Sequence, residues 1–184
     1  MSDTPQNPFA SMRIVYAAPG MDAVTVRRDD TYRVSEGHAL TMDVYYPPDA
    51  PSGARLPAVI FVTGFSDADA QRMLGRRFKE MGSYVSWAQV VAASGMVAIT
   101  YANDAPAHDV DAVLQHVRDH AEELRIDERR IALWSCSGNV PNALSVLMRS
   151  ADALTCAVLF YGYLLDLDGA SAVADAPSRS SKYP

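Results

Sequence analysis

"RRIALWSCSGNVPNALSVLM", from Arg129 to Met148, decides how this chain folds. Ile131 to Trp134 is a short, unbroken apolar run, the mark of a strand covered on both faces. The run breaks sharply on Ser135, Cys136, Ser137, Gly138 and Asn139, and a helix follows. Pro141 suits the first turn of that helix, where its missing N–H leaves nothing unsatisfied. A turn this tight pushes its central side chain, Ser137, out above the sheet and strains the backbone beneath it.

Three other apolar runs resemble Ile131–Trp134: "AVIFV" (58–62), "MVAITY" (96–101) and "CAVLFY" (156–161). Helical stretches lie between them. In "HDVDAVLQHVRDHAEELRID" the residues Val110, Val113, Leu114, Val117, Ala121 and Leu124 recur on one face, with Asp111, Gln115, Arg118, Asp119, Glu122 and Glu123 filling the other. Ser83 is the expected N-cap of "YVSWAQVVAAS", and Gly95 its C-terminal stop. Upstream, Leu40, Met42, Val44 and Tyr46 alternate with Thr41, Asp43 and Tyr45, which predicts a strand with one wet face. Val24 and Val26 alternate more briefly, Glu36-Gly37 supplies a turn, and Pro47-Pro48 ends the strand. Strands alternating with helices predict an α/β fold: a mainly parallel sheet flanked by helices, with an antiparallel N-terminal edge. Residues 1–22 read as an arm, 23–168 as the core, and 169–184 as a polar tail expected to be poorly ordered.

Composition narrows the partners. The 184 residues are about half apolar and carry a formal charge of −6, which argues against a nucleic-acid binder. The densest basic spot, Arg72 to Lys79, mixes Met73, Leu74, Phe78 and Glu80 with its charges and reads as a solvated face. No apolar run reaches the ~18 residues of a membrane helix, and "MSDTPQNPFASMR" is not a secretory signal. Cys136 ends one strand and Cys156 begins its parallel neighbour, so the two cannot be bridged. A cytoplasmic protein with free thiols is expected. No Gly-rich phosphate loop follows any strand, and no cofactor is implied.

On these residues the chain resembles the α/β-hydrolase superfamily, in particular its esterase and dienelactone-hydrolase-like branch, over roughly Tyr32 to Leu165. "ELRIDERRIALWSCSGN" is similar to the family's helix, acidic-basic turn, fifth strand and nucleophile elbow, and "LPAVIFVTGF" to its third strand and the loop after it. The resemblance puts Ser137 at the nucleophile of G-x-S-x-G, with Ser135 and Asn139 standing where the outer glycines would be. Thr63 replaces the histidine of a His-Gly pair. It implies oxyanion donors at the N–H groups of Gly138 and Phe65, with Gly64 allowing the close approach. Dienelactone hydrolases use cysteine at the central position. Cys136 stands one residue away from it, so a small buried thiol is its expected role.

The implied chemistry is attack by Ser137 on a small-molecule carboxylic ester or lactone. The family's chain order is Ser, then Asp or Glu, then His. Here His38, His108, His116 and His120 all precede Ser137. Asp166 and Asp168 are secondary candidates for the acid, and His108, in the loop after "MVAITY" beside Asp109 and Asp111, for the base. His116 and His120 stand four apart, but Val117 occupies the zincin Glu position, so a helix-surface role is expected and no metal site. The triad is thus incomplete, as in a hydrolase truncated after its sixth strand, which would leave "CAVLFY" as an edge open to a second copy of the chain. The alternative expectation is a non-catalytic binding module on the same fold.

Overall fold

The computed structural model describes residues 8–162; Asp166, Asp168 and the expected tail lie outside them. β1 (Thr25–Ser35) and β2 (His38–Tyr46) form a hairpin turned by Glu36 and Gly37. Both turn residues have positive φ, 47° and 84°, as the favoured two-residue hairpin loop requires. The chain then alternates strand and helix: β3 (Leu56–Phe61), α1 (Asp67–Leu74), α2 (Gly82–Ala93), β4 (Val97–Tyr101), α3 (Pro106–Asp119), β5 (Ile126–Cys136), α4 (Val140–Arg149) and β6 (Cys156–Phe160).

The six strands lie in the order β1-β2-β4-β3-β5-β6. β3, β4, β5 and β6 pair in parallel, and β2 joins β4 antiparallel, so the expected antiparallel edge is present. α3 and α4 cover one face over Ile60, Val62, Ile99 and Leu133. α1 and α2 cover the other over Phe61, Ala98 and Trp134. The chain steps from β3 to β4 on one side and then back over to β5 on the other. The strand order therefore reverses beside β3, opening a crevice beyond the carboxyl ends of β3 and β5.

Several local expectations are corrected. Asp43 and Tyr45, read as a wet face of β2, are buried. Tyr45 joins Ala88 and Ala92 of α2 in one buried apolar cluster, and Asp43 receives Nζ of Lys79 at 2.8 Å. Lys79 is itself only 3% exposed, so that part of the basic spot is no solvated face. The short 3-10 turn Phe78–Glu80 carries it inward, onto Asp43 and onto Asp29 at 2.6 Å in a β1 bulge where Asp29 has φ 55°. α2 starts at Gly82, one residue before the expected cap, and Ser83 does not cap it. Gly82 is also closely packed: a Cβ there would meet the Ser11 carbonyl at 2.5 Å, where residues 11–14 run along this helix. Gly95 does end the turn after α2, with φ 90°. β6, expected to be covered on both faces, leaves Cys156, Val158 and Phe160 exposed along one side.

Candidate active site

Two chain reversals meet at the crevice, one after β5 and one after β3. β5 ends at Cys136 in extended conformation, and Ser137 follows with φ 56°. Left-handed backbone is uncommon outside glycine and asparagine, and costs roughly 1 kcal/mol or more in a residue such as serine. The strain does what the tight turn requires: it reverses the chain in a single 3-10 turn, Ser137–Asn139, that runs straight into α4. Ser137 is exposed at the top of this turn, while Ser135 and Asn139 on either side are buried. Ser135 is small enough for its place and directs Oγ at the Val62 carbonyl, 3.4 Å away.

The loop after β3 is held against this turn. Val62 N–H donates to the Trp134 carbonyl at 2.8 Å, which carries the strand pairing up to the turn. Gly64 follows in a gap that no side chain could share: a Cβ there would lie 2.6 Å from both Asn139 Cα and the Gly138 carbonyl oxygen. Gly138 in turn faces the ring of Phe65, whose nearest carbons would lie 3.3 Å from a Cβ. The structure thus brings Ser137, Gly138, Gly64 and Phe65 together. Gly64 N–H donates to Asn139 Oδ1 at 2.7 Å, whereas neither Phe65 N–H nor Gly138 N–H has a partner among the described residues.

Buried amides and hydroxyls tie these two reversals to their neighbours. Asn142 Nδ2 donates to the Thr63 carbonyl (3.1 Å), and Asn103 Nδ2 to Thr63 Oγ1 (2.8 Å). Asn139 Nδ2 donates to the Tyr84 hydroxyl at 3.0 Å. Thr63, where the resemblance would have a histidine, is therefore a fully used linker. Asp67 opens α1 directly after the loop, with N–H on the Asn103 carbonyl and Oδ2 accepting from Asn103 N–H. Burial pushes its carboxyl up to about 6, against the pull of that N–H and of Arg77. Burial likewise raises the Cys136 thiol, even with hydrogen bonds to Tyr161 and Asn139, so a thiolate is disfavoured there. Both cysteines are free, and the strand register sets them four residues apart.

The histidines are elsewhere. His108 is exposed in the first turn of α3. β3 stands between its parent strand β4 and β5, a separation of about 10 Å from strand spacing alone. Neither neighbouring acid serves it. Asp109 is fully buried and takes Asp104 N–H, Ala105 N–H and the Arg33 guanidinium, while Asp111 pairs with Arg149. His116 and His120 stack on each other at 4.1 Å, and burial together with His120 lowers the pKa of His116. Among the described residues no group of three or more His, Cys, Asp or Glu is placed to hold a metal ion. His38 meets Asp104 at 2.6 Å on the carboxyl edge, a pairing the sequence reading missed. It was findable, because β2 runs antiparallel to β4 and so begins where β4 ends. Three strand spacings, roughly 14 Å, separate it from β5.

The overall topology recurs in solved esterase structures. The chain matches a bacterial heroin esterase with TM-score 0.59 and 18% identity, covering 84% of this chain and 50% of that one. The fold is an α/β-hydrolase core. The same core matches Thermogutta terrifontis esterase 2 phosphoramylated by tabun (TM-score 0.58, 20% identity, 86% of this chain and 63% of that one). It also matches esterase Est22 (TM-score 0.55, 19% identity, 74% and 43%). The hydrolase core here therefore spans between 43% and 63% of the length of these esterases. No family model matches the sequence, and a search of curated proteins finds no match either. Among the described residues no helix is long and apolar enough to cross a membrane.

Proposed function

We propose that this chain carries the nucleophile and oxyanion donors of a serine hydrolase acting on small carboxylic esters or lactones. Ser137 Oγ bonds to the acyl carbon, and the carbonyl electron pair moves onto oxygen, facing the N–H groups of Phe65 and Gly138. The hydroxyl proton passes to a base, the alcohol leaves, and water releases the acid. One observation carries this reading: an exposed serine at φ 56° on the turn between β5 and α4, packed against a loop whose next N–H is unengaged. The esterases of like fold support the substrate class.

None of the four histidines follows Ser137, and none is hydrogen-bonded to it. The triad is incomplete in this chain, which limits turnover to what nucleophile, donors and binding supply, roughly three to four decades over water. Stoichiometric phosphorylation is the cleaner test, and T. terrifontis esterase 2 is phosphorylated by paraoxon. Paraoxon should modify this chain at one site, with one equivalent of p-nitrophenolate released, and Ser137→Ala should abolish it. Absence of modification in the unaltered chain would overturn the reading and favour a non-catalytic binding module.

A further inference from the structure

Asn139 stands at the position where the hydrolase elbow has its last glycine, yet its side chain is not merely tolerated there. It is 6% exposed and its amide is engaged at both ends, by Gly64 N–H at 2.7 Å and by the Tyr84 hydroxyl at 3.0 Å. Gly64 N–H can only donate, so it fixes the amide's orientation, with Oδ1 toward the β3–α1 loop and Nδ2 toward α2. Tyr84 is held in its turn by Phe61, Phe78 and Trp134 around its ring. The loop, the elbow and α2 are thus joined through a single side chain.

Three N–H groups lie in sequence near the exposed serine: Gly64, Phe65 and Gly138. An oxyanion needs donors fixed before charge develops, since donors that must reorient lose most of their advantage. The Asn139 carboxamide removes the first of the three from contention and, by gripping Gly64, sets the direction of the next peptide unit, which bears the Phe65 N–H. The ring of Phe65 lies over Gly138 and faces Phe78 at 6.4 Å, which closes the arrangement from the other side.

We infer that Asn139 is a positioning residue: it occupies Gly64 N–H and thereby selects Phe65 and Gly138 N–H as the oxyanion pair. This rests on the reading of Ser137 as nucleophile. The role needs a neutral amide with an acceptor and a donor at opposite ends, which neither glycine nor alanine provides.

The experiment follows paraoxon phosphorylation of the full chain at several probe concentrations, separating probe affinity from the rate of bond formation. Gly64 amide hydrogen exchange is read in the same samples. Asn139→Ala and Asn139→Gly should leave probe affinity unchanged and slow bond formation roughly tenfold to hundredfold. Gly64 exchange should accelerate in both. Tyr84→Phe, which leaves the Gly64 acceptor in place, should give a smaller slowing with Gly64 still protected. It also supplies an answer should a residue-139 variant fail to fold. A rate equal to or faster than that of the unaltered chain in the Asn139 variants, or unchanged Gly64 exchange, would overturn the inference. If the unaltered chain is not phosphorylated at all, the nucleophile reading falls and takes this inference with it. Phosphorylation that ignores residue 139 would overturn this inference alone.

Discussion

Two polar knots, each with a buried centre, fasten this sheet, and they are built from different chemistry. Near β1 and β2 the knot is ionic: Lys79 meets Asp29 and Asp43, with Arg28 reaching Asp43 at 3.3 Å. At the carboxyl ends of β3 and β5 it is an affair of amides and hydroxyls, from Thr63, Asn103, Asn139, Asn142 and Tyr84. The one carboxyl that enters the second knot, Asp67, is pushed toward its neutral form by burial. The contrast has a physical sense. Under the proposed function, a full charge beside the turn after β5 would add its own field to a site where negative charge develops, whereas fixed dipoles can be aimed. At the far end no such constraint applies, and opposite charges hold a strand bulge to a turn.

The ionic knot should be the costlier one to break. Lys79→Met strands Asp43 without its buried partner and should lower unfolding free energy by about 3–5 kcal/mol, measured as a shift in the urea midpoint at unchanged slope. A loss no larger than that of an exposed ion pair would show that water reaches this corner. Asn142→Ala leaves the buried Thr63 carbonyl without its donor, and about 1–3 kcal/mol should go. Because that knot holds no ion pair, the Asn142 effect should be the same in low and high salt, which separates the two kinds of fastening.

Asp67 is expected to give a smaller, pH-dependent signal. Its folded-state pKa, about 6, lies above the ordinary 3.8, so the folded chain binds the proton more tightly than the unfolded one. The stability this contributes is complete below pH 4 and is lost as pH rises through 6. Asp67→Asn should therefore gain about 1–2 kcal/mol on the unaltered chain between pH 4 and pH 7.5, after allowance for partial solvent contact. A constant difference across that range would mean that the carboxyl is ionised throughout. At the bottom of the scale, His108→Ala should leave paraoxon phosphorylation unchanged, since the imidazole is exposed and lies two strands away from the elbow.

The framework was legible because it is written in apolar runs. Val97–Tyr101 is buried at every position, as its unbroken run implies, and Glu36-Gly37 turns the hairpin it was expected to turn. The break at Ser135–Asn139 located the turn between β5 and α4 to the residue. What escaped was polar and long-range. Nothing local to Asp43 or Lys79 announces that they bury each other across 36 positions, since period-two patterning reports only a residue's own strand. The contact of Asn139 with Gly64 spans 75 positions. The one local sign was a large amide, Asn139, standing where the resemblance would have a glycine.

Under the proposed function, the left-handed backbone at Ser137 sets stability against use at a single position. Glycine would hold φ 56° without strain, so Ser137→Gly should melt higher than Ser137→Ala and no lower than the unaltered chain, although both variants lack the hydroxyl. Thermal stability alone would erode this position toward glycine. Under the proposed function, serine there is a debt carried by the fold in return for a hydroxyl at the top of the turn.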